Sequence, residues 1–147
     1  MRALIQRVSE ASVSVDAKTI GAIGPGLVIL LGVGHDDTAA DAAKLAAKLA
    51  RLRIFDDDSG RMNRSLLDLG DAGEALCISQ FTLYGDVRRG LRPSFTDAAR
   101  PEVGEALYED FCTALAREGV KVEQGRFGAR MSVALRNEGP VTLMVEI

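Results

Sequence analysis

The stretch "LVILLGV", Leu27 to Val33, carries no polar side chain. Seven such residues suit a strand buried on both faces, and a sheet containing one needs cover on each side. What precedes it reads as sheet. Residues 3–15 alternate, with Ala11, Val13 and Val15 against Ser12 and Ser14, residues 18–23 form a short return strand, and "GPG" at 24–26 turns the chain. A helix follows over Thr38 to Arg53, with Ala42, Leu45, Ala46, Leu49 and Leu52 on one stripe and Asp41, Lys44, Lys48 and Arg51 on the other. Asp36 and Asp37 precede it and Arg51 and Arg53 close it, as the helix dipole favours.

"DDDSG" at 56–60 marks a turn, and "EALCISQFTLY" at 74–84 a strand entering a loop. A second helix starts at Pro101, a residue suited to the first helical position, and ends at Gly119. Val103, Leu107, Phe111, Ala114 and Leu115 supply its core face, while Arg100 before it is not a preferred cap. Two or three closing strands are expected, over 120–125, 130–136 and 140–147. In the last, Val141, Leu143, Val145 and Ile147 share one face, and Gly139-Pro140 stands at its entrance. Proline cannot donate to a ladder, so its place there asks for a reason. The order β-β-β-α-β-α-β-β-β predicts one α+β domain over residues 1–147, built on a mainly antiparallel, barrel-like sheet with two principal helices.

Composition narrows the function classes. The chain has 147 residues, 47% of them hydrophobic and 27% charged, which fits one domain with a proper core. No apolar run reaches the roughly 20 residues of a membrane span. Arg7 and Glu10 fall where a secretory leader would be apolar, which predicts a cytoplasmic protein. Cys77 and Cys112 both sit in apolar surroundings and read as buried, reduced thiols. A net charge of −3 argues against broad grip on a polyphosphate, and so against DNA as a partner. It leaves room for a local patch, and Arg88, Arg89, Arg92, Arg126 and Arg130 crowd into two short segments.

The familiar catalytic sets fail in detail. His35 is the only histidine, so a zinc cluster lacks ligands and a Ser-His-Asp triad could use no other residue, and no G-x-S-x-G elbow is present. "DDDSGRMNRSLL" misplaces the glycine and glutamate of a calcium loop, and "GVGHDD" lacks the third glycine of a dinucleotide fingerprint. No metal or cofactor is expected. What remains is "SQFTLYGD", where Ser79, Gln80 and Thr82 interrupt an apolar strand at its end, and "NEGPVT".

Together these segments resemble the D-aminoacyl-tRNA deacylases. "LIQRVSEASVSV", "GLVILLGV", "RIFDDDSGRMNRSL", "SQFTLYGD", "RGLRPSF", "GRFGARMSVAL" and "NEGPVT" follow in the family's order, nearly end to end, with "SQFT" and "GPVT" as its two signatures. Tyr84 and Gly85 fall where variation is expected. The resemblance implies a homodimer acting on the 3′ end of aminoacyl-tRNA, with Gly139-Pro140 in a cis peptide projecting into the partner's pocket. It implies that Ser79, Gln80 and Thr82 form the catalytic set and that Gly139, Pro140, Phe81 and Phe127 bind substrate, one of the two phenylalanines stacking on the terminal adenine.

Two mechanisms stay open on the residues. Thr82 is a nucleophile without an evident base, or the substrate's own 2′-hydroxyl assists while backbone N–H groups of the "SQFT" turn hold the carbonyl. The resemblance favours the second. A backbone wall at Gly139-Pro140 would exclude an L-side chain by clash and let glycine pass. An editing domain for L-amino acids and a non-catalytic RNA-end binder are the rival readings.

Overall fold

The computed structural model describes residues 1–147. Its first strand, β1 (Arg2–Val15), is the common partner of β2 (Lys18–Ile23), β3 (Gly26–Gly32) and the last strand, β8 (Ser132–Glu146), all antiparallel. Helix α1 (Ala39–Arg51) and a hairpin of β4 (Phe55–Asp56) and β5 (Met62–Arg64) lead on to β6 (Glu74–Ser79). Helix α2 (Pro101–Arg117) precedes β7 (Lys121–Gln124). The sheet order β2-β1-β3-β6-β7 contains two parallel pairings, β3 with β6 and β6 with β7. Each spans a helical crossover, which parallel neighbours require. The remaining pairings are antiparallel, as the α+β reading expects.

Both faces of β3 are covered. Leu27, Ile29 and Leu31 join the larger core with Leu45 and Leu49 of α1 and Phe111 and Leu115 of α2. Val28 points the other way, into a smaller core with Val8, Val13, Leu76 and Ile78. The sheet curls around that second core into a nearly closed barrel. Its edges approach so closely at Gly21 that a Cβ there would lie 3.2 Å from the Gln124 carbonyl oxygen.

Thr38 caps α1. Its hydroxyl accepts from the Asp41 N–H while the Asp41 carboxylate accepts from the Thr38 N–H, a capping box that sets the start one residue inside the expected span. Arg100 supplies no side-chain cap to α2. The "DDDSG" turn is closed by Asp57, which accepts from Ser59 and Arg61 and whose carboxyl is lowered to about 2 by those bonds. The flanking β4–β5 hairpin was not expected.

The stretch 74–84 is a strand entering a loop, as expected: the strand stops at Ser79, and Phe81–Tyr84 forms a single 3-10 turn. The C-terminal end differs from the sequence reading. The two strands expected at 130–136 and 140–147 are one element, because both halves pair with β1. Gln6 faces Thr142 and Val8 faces Asn137, so two steps along β1 are matched by five along β8, and the surplus bulges out as a tip at Glu138–Val141. Gly139-Pro140 therefore stands at the crest of an excursion within a strand, not at a strand entrance. Of the expected inward face, Val141 and Val145 are buried and Ile147 is half-buried, but Leu143 is 41% exposed.

Candidate active site

Where β6 ends, the chain turns beside a cleft of about 550 Å³ lined by Ser79, Gln80, Phe81, Phe95, Phe127 and Met131, among others. The Gln80 N–H donates to the Leu31 carbonyl at 2.8 Å, which fixes the turn to β3. The N–H groups of Phe81 and Thr82 open the 3-10 turn and find no acceptor in the chain. Thr82 is exposed and does not line the cleft; its hydroxyl accepts from the Gln80 side-chain amide. Phe81 meets Phe95 edge-on, with centroids 5.0 Å apart. On the far wall, Phe127 lies against Tyr108, whose hydroxyl donates to the Cys77 carbonyl at 2.8 Å. Cys112 beside it, together with burial, pushes the Cys77 thiol well up, so it stays a neutral packing group.

Tyr84 anchors the turn from below. Its ring fills a slot floored by glycine: a Cβ on Gly34 would lie 2.8 Å from the Tyr84 hydroxyl, and one on Gly32 3.2 Å from the ring. The Arg2 guanidinium covers the ring at 4.5 Å from its centroid, donates to the Leu83 carbonyl at 3.0 Å and pairs with Glu146 at 2.7 Å. Burial, reinforced by the Asp37 carboxylate, raises the Tyr84 phenol to about 12. His35 lies outside the cleft, exposed in the turn before α1 with Nδ1 2.9 Å from Asp36.

Gly139 and Pro140 do not line this cleft. They stand exposed on the β8 tip, joined by a cis peptide bond. Gly139 has φ of 127°, a region closed to most L-residues, and a Cβ there would lie 2.9 Å from the Val141 side chain. The tip is held by polar bonds. Asn137 Oδ1 accepts from the Val141 N–H at 2.9 Å, and its Nδ2 donates to Thr142 at 2.8 Å. Arg7, only 8% exposed, donates from Nε to the Glu138 carbonyl at 3.0 Å and from Nη1 to the Ile54 carbonyl at 2.8 Å, and pairs with Asp56 at 3.1 Å.

The sequence reading thus named the cleft and the tip but missed what supports them: Arg2, Arg7, Tyr84, Phe95 and Asn137. One signal was available. Arg7 occupies an inward position in the alternation Ala3, Ile5, Arg7, and a charge there needs partners.

A barrel whose strand end opens into an apolar cleft with orphan backbone donors has the form of a ligand pocket on an α+β frame. Comparison with known proteins makes it specific. The family described as D-Tyr-tRNA(Tyr) deacylase matches residues 4–146. A D-aminoacyl-tRNA deacylase of Roseiflexus castenholzii is 64% identical over 99% of this chain and 92% of its own. One from Thermus aquaticus is 56% identical over 99% and 95%. A solved structure titled c-Myc DNA Unwinding Element Binding Protein superposes with a TM-score of 0.92 at 39% identity, covering 100% of this chain and 99% of that one. A probable eukaryotic D-amino acid tRNA deacylase shares the fold, with a TM-score of 0.82 at 22% identity over 99% and 98%. The chain belongs to the D-Tyr-tRNA(Tyr) deacylase family, whose members are hydrolases.

Proposed function

We propose that the protein hydrolyses the ester of D-aminoacyl-tRNA at the cleft beside Ser79–Tyr84, and that it works as a homodimer in the cytoplasm. Water adds to the ester carbonyl, the bond to the terminal ribose oxygen breaks, and that oxygen leaves with a proton. The orphan N–H groups of Phe81 and Thr82 receive the developing oxyanion. The neighbouring 2′-hydroxyl assists the attack, since Thr82 is turned toward Gln80 and has no base beside it. Ser79 and Gln80 shape the pocket, and Phe81 or Phe127 stacks on the terminal adenine.

The observation that carries the reading is a separation. The cleft holds Ser79, Gln80, Phe81 and Phe127, while Gly139-Pro140 stands exposed on a tip that does not line it. A second copy would bring that tip to the cleft. β8 has the surface for it, with Leu135, Leu143 and Met144 exposed at 37%, 41% and 48%. The tip's backbone then forms a wall near the substrate Cα that rejects an L-side chain by clash.

A paired time course of D-tyrosyl-tRNA and L-tyrosyl-tRNA, with chelator present, tests this. D is cleared and L is spared. Loss of L in place of D would mark an editing domain of the other hand, and tight binding without turnover an RNA-end binder. Glycyl-tRNA, having no side chain to clash, is cleared as well; its survival beside rapid loss of D-tyrosyl-tRNA would refute the wall.

A further inference from the structure

The chain is net negative at −3, yet the two segments bordering the cleft are not. Residues 86–101 and 126–131 hold six arginines against two aspartates. Arg88 is engaged by Asp86 at 2.7 Å, and hydrogen bonds from Arg88 hold that carboxyl down at about 2. Arg89, Arg92, Arg100, Arg126 and Arg130 are exposed and join none of the protein's salt bridges. Elsewhere on the surface Arg51 pairs with Glu118, Arg64 with Asp58, Lys121 with Glu74 and Arg136 with Glu10, while Lys18, Lys44, Lys48, Arg53, Arg61 and Arg117 join no salt bridge but lie outside the two segments that border the cleft.

Their placement follows the cleft. Along 126–131 the chain alternates: Arg126 and Arg130 are exposed, while Phe127, Ala129 and Met131 turn inward as lining. Arg100 sits between the lining residues Ala99 and Pro101. Arg89 and Arg92 lie in the loop that leads to Phe95, another lining residue, and that loop is pinned by a bridge between Asp86 and Ser94. An apolar cleft with unpaired guanidinium groups around its mouth fits an occupant with an uncharged, stackable end and phosphates just behind it. Guanidinium forks match phosphate oxygens, and bonds to phosphate set register without reading sequence.

We propose that Arg89, Arg92, Arg100, Arg126 and Arg130 form a docking rim for the backbone phosphates of the RNA strand immediately preceding the esterified nucleoside. This rests on the deacylase reading of the cleft and adds to it a second zone that grips phosphate. The rim governs capture of the RNA, and the cleft governs the chemistry.

The test compares two esters of the same D-amino acid: D-tyrosyl-tRNA, and D-tyrosyl-adenosine, which has the ester and the base but no phosphate. Two double variants are made, Arg126→Gln with Arg130→Gln and Arg89→Gln with Arg92→Gln. For D-tyrosyl-tRNA, KM rises about tenfold at constant kcat, and the plot of log kcat/KM against log salt flattens by about 0.7 for each phosphate no longer held. For D-tyrosyl-adenosine neither parameter moves. Arg126→Lys with Arg130→Lys restores most of the loss, because a point charge still attracts phosphate. An equal loss on both esters, or an unchanged salt slope, overturns the rim while wild-type cleavage of D-tyrosyl-adenosine keeps the deacylase reading. Wild-type protein that cleaves neither ester overturns both.

Discussion

The turn at 80–85 and the tip at 137–141 are both short departures from regular strand, yet they are held by opposite means. The turn has two backbone anchors, Gln80 N–H to the Leu31 carbonyl and Arg2 to the Leu83 carbonyl, but what sets it apart is volume. Tyr84 fills a slot that only glycine at 32 and 34 leaves open, with Arg2 laid over it. The tip is held by direction. Arg7 and Asn137 give it hydrogen bonds to named carbonyl and amide groups, and its crest meets solvent. Packing tolerates small losses by relaxing, whereas a buried charge that loses its geometry leaves carbonyls unsatisfied. The cleft should therefore degrade gradually under mutation, and the tip abruptly.

Arg7→Ala is the sharpest way to break that contrast. It strips donors from the Ile54 and Glu138 carbonyls and leaves the inward position empty, at a cost of about 3 kcal/mol by urea unfolding. Under conditions where the variant is folded, L-tyrosyl-tRNA becomes a substrate; continued rejection of L would detach the tip from chirality. Tyr84→Ala empties a half-buried slot and should cost about 2 kcal/mol. It lowers kcat on D-tyrosyl-tRNA without opening the site to L, and a gain of L activity would erase the division between turn and tip. Tyr84 also has a signature in base. Its phenol is raised to about 12, so the neutral form is favoured in the folded state. The stability this contributes is complete below the ordinary value near 10 and is lost as pH climbs from there toward 12. Native protein should show no tyrosinate absorbance from Tyr84 at pH 10, and its appearance there would mean the slot is open. The smallest effect belongs to Thr82→Ala, within about tenfold in kcat, whereas removing a true nucleophile costs on the order of 10⁴ or more.

The same division governs what could be read from sequence. Periodicity and apolar runs report which side of an element is covered. They gave β3 its two buried faces, placed α1 and α2, and put Ser79, Gln80 and Thr82 at one strand end; Phe81 and Phe127 entered only through the family resemblance. They carry no record of partners. That 130–136 and 140–147 are one strand depends on both halves pairing with β1, more than a hundred residues away. Leu143 has the inward parity of Val141 and Val145 but remains exposed, because the alternation cannot say what lies opposite. Tyr84 looked replaceable, since the glycines that make room for it lie fifty positions back.

β1 has one more consequence. Arg2, which secures the turn, and Arg7, which secures the tip, ride on the same uninterrupted strand. The interval between the two supports is thus counted in residues of a single ladder, not across connecting segments. Insertions or deletions in the exposed stretches at 57–61 or 86–94 would leave that interval untouched. Loops can lengthen or shorten around this molecule without shifting the two supports against each other, provided the residues from Arg2 to Arg7 keep their count.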